Sequence, residues 1–111
     1  AETMRLNRYR NEIIWIVGAS SGIGHALARE LAGRGATLIL SARRAEALEQ
    51  LKSSLGERHR VFVLDVTDPV MTERTAQAIH ATFGRLDRVI FLAAAYQPMK
   101  LSRLDLAVTK Q

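Results

Sequence analysis

Apolar positions along this chain follow two alternating rhythms. Ile13 to Val17 is an unbroken apolar run stopped by Gly18, the pattern of a strand covered on both faces. From Gly22 the period turns helical: Ile23, Leu27 and Leu31 recur every four residues, and Gly33 and Gly35 end the repeat where a helix is capped. The cycle then returns, with Thr37 to Leu40 as strand, Leu48, Leu51 and Leu55 on one helical face, and Gly56 as the stop. Val61 to Leu64 reads as a third strand. Asp68-Pro69 opens the next helix, with aspartate as N-cap and proline at the first helical position, and Val70, Ile79 and Phe83 carry it to Gly84. A fourth strand is expected at Val89 to Ala94, and Ser102-Arg103-Leu104-Asp105 has the form of a capping box opening one more helix.

Strands alternating with helices in this way predict βαβ units. Right-handed crossovers make the sheet parallel and put helices on both faces. The expected fold is therefore α/β, a three-layer, Rossmann-like, doubly wound sheet of about four strands in the order 3-2-1-4. That order leaves strand four at an open edge. Its apolar stretch, Val89 to Ala95, predicts a homo-oligomer, most simply a two-fold dimer, formed through that edge or the neighbouring helices.

Composition narrows the class without changing the fold. At 111 residues, 48% hydrophobic and 24% charged, residues 1–111 read as one soluble globular domain with no room for a second. The absence of cysteine excludes disulfides and thiolate metal sites and agrees with a cytoplasmic location. Ala1 to Glu12 is polar and arginine-containing, and the longest apolar run, Val89 to Tyr96, is too short for a membrane span, so neither a signal peptide nor an anchor is expected. The formal net charge of +5 comes mostly from dispersed arginines without interleaved aromatics, which describes a solvated basic surface and not a nucleic-acid interface. His25 and His80 read as helix-surface residues with no second ligand at metal spacing, and Trp15 as core.

The stretch Gly18-Ala19-Ser20-Ser21-Gly22 fits two chemistries. As G-x-S-x-G it would be a hydrolase nucleophile elbow with Ser20 attacking, but an elbow needs an oxyanion donor from an earlier βα loop, followed by an acid and a histidine later in the chain. Here the motif follows the first strand, and His59 and His80 fall near a strand start and in a helical run. As a phosphate cradle it needs only what is present. Gly18, Gly22 and Gly24 let backbone N–H groups approach an anion, the helix starting at Gly22 offers its positive end, and Ser20 and Ser21 supply hydroxyl donors.

Val17-Gly18-Ala19-Ser20-Ser21-Gly22-Ile23-Gly24 matches the T-G-x-x-x-G-x-G fingerprint of the short-chain dehydrogenase/reductase family, with Val17 in place of the threonine. The sequence resembles that family over nearly its whole length. Ser41-Ala42-Arg43-Arg44 follows strand two, Asp65-Val66-Thr67-Asp68 follows strand three, and Leu86-Asp87 precedes strand four. The resemblance implies the dinucleotide-binding part of an oxidoreductase that moves hydride between a nicotinamide and an alcohol or ketone. It places Gly18, Ser20, Ser21, Gly22, Ile23 and Gly24 at the cofactor, Asp65 at the adenine amino group and Val66 beside the ring. Phe91-Leu92-Ala93-Ala94 stands where the family has N-N-A-G, so Ala93 and Ala94 would border the cofactor, while the family's strand-linking asparagine has no counterpart. For Asp65 a plain role as acceptor for nearby loop amides stays open.

An acidic residue about twenty positions beyond the glycines would bond the ribose 2′-hydroxyl of NAD. Ala42 occupies that place, and Arg43 and Arg44 follow it. Guanidinium groups suit a 2′-phosphate, so NADP(H) is the expected cofactor ahead of NAD. The plain alternative is that both arginines are the solvated start of the second helix, although cations there oppose its dipole.

In the family a serine and a Y-x-x-x-K helix beyond strand four carry the chemistry. Tyr96-Gln97-Pro98-Met99-Lys100 has the tyrosine–lysine spacing, but Pro98 disfavours helix at Gln97 and removes the shared face. No catalytic residue is therefore assigned. The chain reads as the cofactor-binding part, without the catalytic half. Two further readings are a stand-alone nucleotide-binding module and an interaction protein that has kept the fold.

Overall fold

The computed structural model describes residues 8–92, and within them the predicted strands and helices form, the third strand only in part. The order is β1 (Ile13–Val17), α1 (Gly22–Gly33), β2 (Thr37–Ser41), α2 (Ala45–Leu55), β3 (Arg60–Val61), α3 (Pro69–Phe83) and β4 (Arg88–Phe91). All pairings are parallel, in the spatial order β3-β2-β1-β4, with Val17 opposite Ser41 on one side and Phe91 on the other. The expected strand tail at Ala93 and Ala94, the Tyr96–Lys100 pair and the helix opening at Ser102 lie outside the described residues.

The helix ends follow from local chemistry. Ser21 caps α1 by accepting the Gly24 amide at 2.9 Å. Asp68 caps α3 by accepting the Met71 amide at 3.1 Å, and Gly84 ends that helix at a left-handed φ of 79°. At α2 the N-cap is Arg44, whose side chain makes no capping bond.

Two cores lie on the two faces of the sheet. Ile14, Ile16, Leu38 and Leu40 pack against Ala28 and Leu31 of α1 and Leu48 and Leu51 of α2. Trp15, Val17 and Ile39 pack with Ile79 of α3 and with Leu64 and Val66. At the start of β4, Asp87 joins it to β1: its amide donates to Ile13 O at 2.9 Å and its Oδ2 accepts the Ile13 amide at 2.7 Å.

The third strand departs from expectation. Only Arg60–Val61 is regular strand where Val61 to Leu64 is predicted. Phe62 N and Leu64 N still donate to Leu40 O and Ala42 O, each at 3.0 Å, but this is the sheet edge and Val63 is 47% exposed. On the preceding side, the Leu38 amide donates to His59 Nδ1 at 3.0 Å, so an imidazole takes a bond that a strand carbonyl would otherwise supply.

His59 is fully buried, and its Nε2 has no hydrogen-bond partner among the described residues. Because Nδ1 accepts, the ring must be neutral with its proton on Nε2. Burial, reinforced by the charges of Arg58 and Lys52, holds its pKa below the ordinary 6.5. The unfolded chain thus takes up the proton more readily, so this stabilisation is complete above about pH 6.5 and is lost as the pH falls below it. Urea midpoints measured from about pH 7.5 down to pH 5 should decline. His59→Asn, which keeps an acceptor but does not titrate, should flatten that decline. An unchanged slope would assign the acid sensitivity elsewhere.

Candidate functional site

Because every strand runs in the same direction, the carboxyl ends converge on one side of the sheet, and there the chain leaves a cleft of about 440 Å³. It is lined by Val17, Gly18, Ser20 and Ser21 on one side, Ala42, Arg43 and Arg44 on another, and Leu64, Val66 and Leu92 as apolar wall. From β1 the chain order runs outward through β2 to β3, then returns to place β4 on the other flank of β1. Ligands in open α/β sheets bind at such a reversal.

The glycine loop is held from below. Gly18 has φ of 95°, and the amides of Gly18 and Ala19 donate to Ser41 O at 2.8 and 3.1 Å. Those two amides are therefore used inside the protein. The Ser21 hydroxyl is also engaged: it donates to Gly18 O at 3.1 Å while accepting from Gly24 N. Its one proton thus serves the loop here, while the exposed side chain lines the cleft. What faces outward is exposed Ser20 and the opening amides of α1, at Gly22 and Ile23, which precede any intrahelical acceptor. The Ile23 side chain, 73% exposed, is not part of the cleft lining.

The glycines differ in what they permit. A Cβ on Gly24 would lie 2.8 Å from the Ala19 backbone, so α1 can approach the loop only without one. A Cβ on Gly22 would meet nothing within 4 Å, which leaves room for a ligand above the helix start.

Across the cleft, Ala42 is buried and Arg43 and Arg44 are exposed. Arg43 Nη2 lies 3.5 Å from Asp65 Oδ1. That same oxygen accepts the Thr67 hydroxyl at 2.6 Å and the Thr67 amide at 3.0 Å. These Thr67 bonds, with a smaller share from Arg43, hold the Asp65 carboxyl below its usual range. The loop-acceptor role left open for Asp65 is thus realised on Oδ1. Val66 is buried beside it, and Ala93 and Ala94 lie outside the described residues.

The histidines do not serve an elbow at Ser20. His59 is buried with Nδ1 committed to Leu38, and His80 is exposed on α3. His25 differs from the expected surface residue: it is half-buried, with Nε2 enclosed and unpartnered among the described residues. Its four-residue spacing from Ser21 on α1 says which turn it occupies, not how the helix is oriented on the sheet. Ser41 carried no signal beyond being a polar residue ending an apolar run, yet its carbonyl anchors the glycine loop. No helix among the described residues is long and apolar enough to cross a membrane.

The family model described as short chain dehydrogenase matches residues 12–111. Dehydrogenase/reductase SDR family member 7 of Mus musculus is 35% identical over 106 residues, covering 89% of this chain and 31% of the relative. The 3-oxoacyl-[acyl-carrier-protein] reductase FabG of Escherichia coli K12 is 33% identical over 96 residues, covering 86% and 39%. Among solved structures, an NAD+-bound xylitol dehydrogenase superposes with a TM-score of 0.72 at 31% identity, covering 81% of this chain and 35% of that one. The chain thus spans well under half the length of these relatives.

Proposed function

Since the chain belongs to the short-chain dehydrogenase family, we propose that its cleft binds a nicotinamide dinucleotide and prefers NADP(H) to NAD(H). One observation carries the preference: at the far side of the cleft from the glycine loop stands Ala42 with Arg43 and Arg44, and no carboxylate occupies the place that would meet a ribose 2′-hydroxyl. Two exposed guanidiniums there offer charge-assisted, paired donors to a 2′-phosphate. The pyrophosphate would lie over Gly22 and the start of α1, where backbone donors and open space coincide, with Ser20 as an added hydroxyl. Leu64 and Val66 offer an apolar surface to adenine, and Asp65, between them in sequence and with Oδ1 bonded to Thr67, would supply an acceptor for its amino group.

The xylitol dehydrogenase neighbour is NAD+-bound, so the proposed preference of this chain rests on residues 42–44 and not on the fold. In the whole protein the bound nicotinamide would exchange hydride with an alcohol or ketone. Within residues 8–92 the chain's own part is to bind and orient the dinucleotide. Trp15, the only tryptophan, lies directly behind the cleft wall and reports on binding by its emission. Titration with NADPH and NADH should give an affinity about tenfold or more higher for NADPH. Equal affinities for the two would overturn the preference, and no binding of either would overturn the reading of the cleft.

A further inference from the structure

Resting on that reading of the cleft, we propose that Ser41 is a positioning residue for cofactor selection: it fixes the spacing between the glycine loop and the arginines that would meet the 2′-phosphate. Three bonds meet at this residue. Its carbonyl accepts the Gly18 and Ala19 amides at 2.8 and 3.1 Å, holding the loop. Its hydroxyl accepts the Trp15 indole N–H at 2.8 Å. Both side chains are sealed from water, Ser41 at 0% and Trp15 at 1% exposure.

Trp15 pairs with Ile39 in the parallel register, so Ser41 is its diagonal neighbour on the same sheet face. The bond therefore spans β1 and β2 at the point where both end. Just beyond it, Ala42 O accepts the Leu64 amide at 3.0 Å, tying the same stretch to the adenine side of the cleft, and Arg43 follows. A pyrophosphate and a 2′-phosphate on one dinucleotide are a fixed distance apart, so a site that reads both must hold its two sets of donors at a matching separation. Only residues 41 and 42 connect them on the β2 side. An apolar residue at position 41 would continue the strand equally well, and would leave the indole N–H buried and unpaired. The serine hydroxyl instead gives the strand end one position relative to Trp15.

The test compares Ser41→Ala and Ser41→Thr in the 111-residue chain, measuring NADPH and NADH affinities side by side. Ser41→Ala should reduce the NADPH-to-NADH preference by about fivefold, and Ser41→Thr, which keeps the hydroxyl, should restore it. The alanine variant should also shift Trp15 emission by removing the acceptor from its indole. Parallel losses for both nucleotides, or an unaltered preference, would show a merely structural role and overturn the inference while leaving the proposed function standing. Failure of the unaltered protein to discriminate overturns both. Should Ser41→Ala not fold, Ser41→Cys, near in shape but a weak acceptor, supplies the same comparison.

Discussion

Replacing Gly24 with alanine is expected to destabilise the protein by about 2 kcal/mol, although alanine is the better helix former by about 1 kcal/mol. Gly24 is buried in the first turn of α1, and the added Cβ would lie 2.8 Å from three backbone atoms of Ala19. Backbone cannot rotate away as a side chain can. Ala19 is itself held, because its amide is bonded to Ser41 O. The helix must therefore lift off the loop, giving up the packing of Ala28 and Leu31 against the sheet and moving its opening amides from the cleft. Thermal unfolding should show a drop of several degrees, and nucleotide binding should fail with it. Gly22→Ala is the contrasting change. With nothing within 4 Å of its added methyl, it should unfold at or slightly above the parent temperature yet bind nucleotide weakly. If the two variants behaved alike, the division between a packing glycine and a ligand-facing one would be wrong.

Arg43→Ala is expected to abolish the preference for NADPH, costing about 1 to 3 kcal/mol of its binding, or about 5- to 150-fold in affinity, with NADH little affected. The stability of the free protein should hardly change. The contact that Arg43 makes in it, 3.5 Å to Asp65, joins side chains that are 66% and 48% exposed, and ion pairs so open to water contribute little. The large effect appears only when a doubly charged phosphate must be neutralised. Because that interaction is electrostatic, the parent's preference should also shrink as salt is raised, and the variant's should not. A variant that kept the parent's discrimination would move the recognition of the 2′-phosphate to Arg44 or remove it from this cleft.

Much of the architecture was legible in the linear chain because its causes are local. The change from unbroken apolar runs to a four-residue repeat marks each strand and helix, Asp68-Pro69 and Gly84 bound α3 through cap chemistry, and short right-handed connections leave little freedom in strand order. The glycine motif and Arg43-Arg44 could be placed at one cleft for the same reason: position after a strand suffices to bring them to one end of the sheet. The tertiary structure decided matters that depend on partners distant in sequence. His59 bonds Leu38 across 21 residues just ahead of β3, and Trp15 bonds Ser41 across 26, a pairing that only the register of β1 on β2 creates. Ser21 and Gly24 carry the same motif letters as Ser20 and Gly22, yet the Ser21 hydroxyl is bonded within the loop and Gly24 is buried against Ala19, while Ser20 lines the cleft and Gly22 opens on free space. A linear pattern counts residues along the chain; which atoms of those residues are already bonded is set by how α1 lies on the loop beneath it.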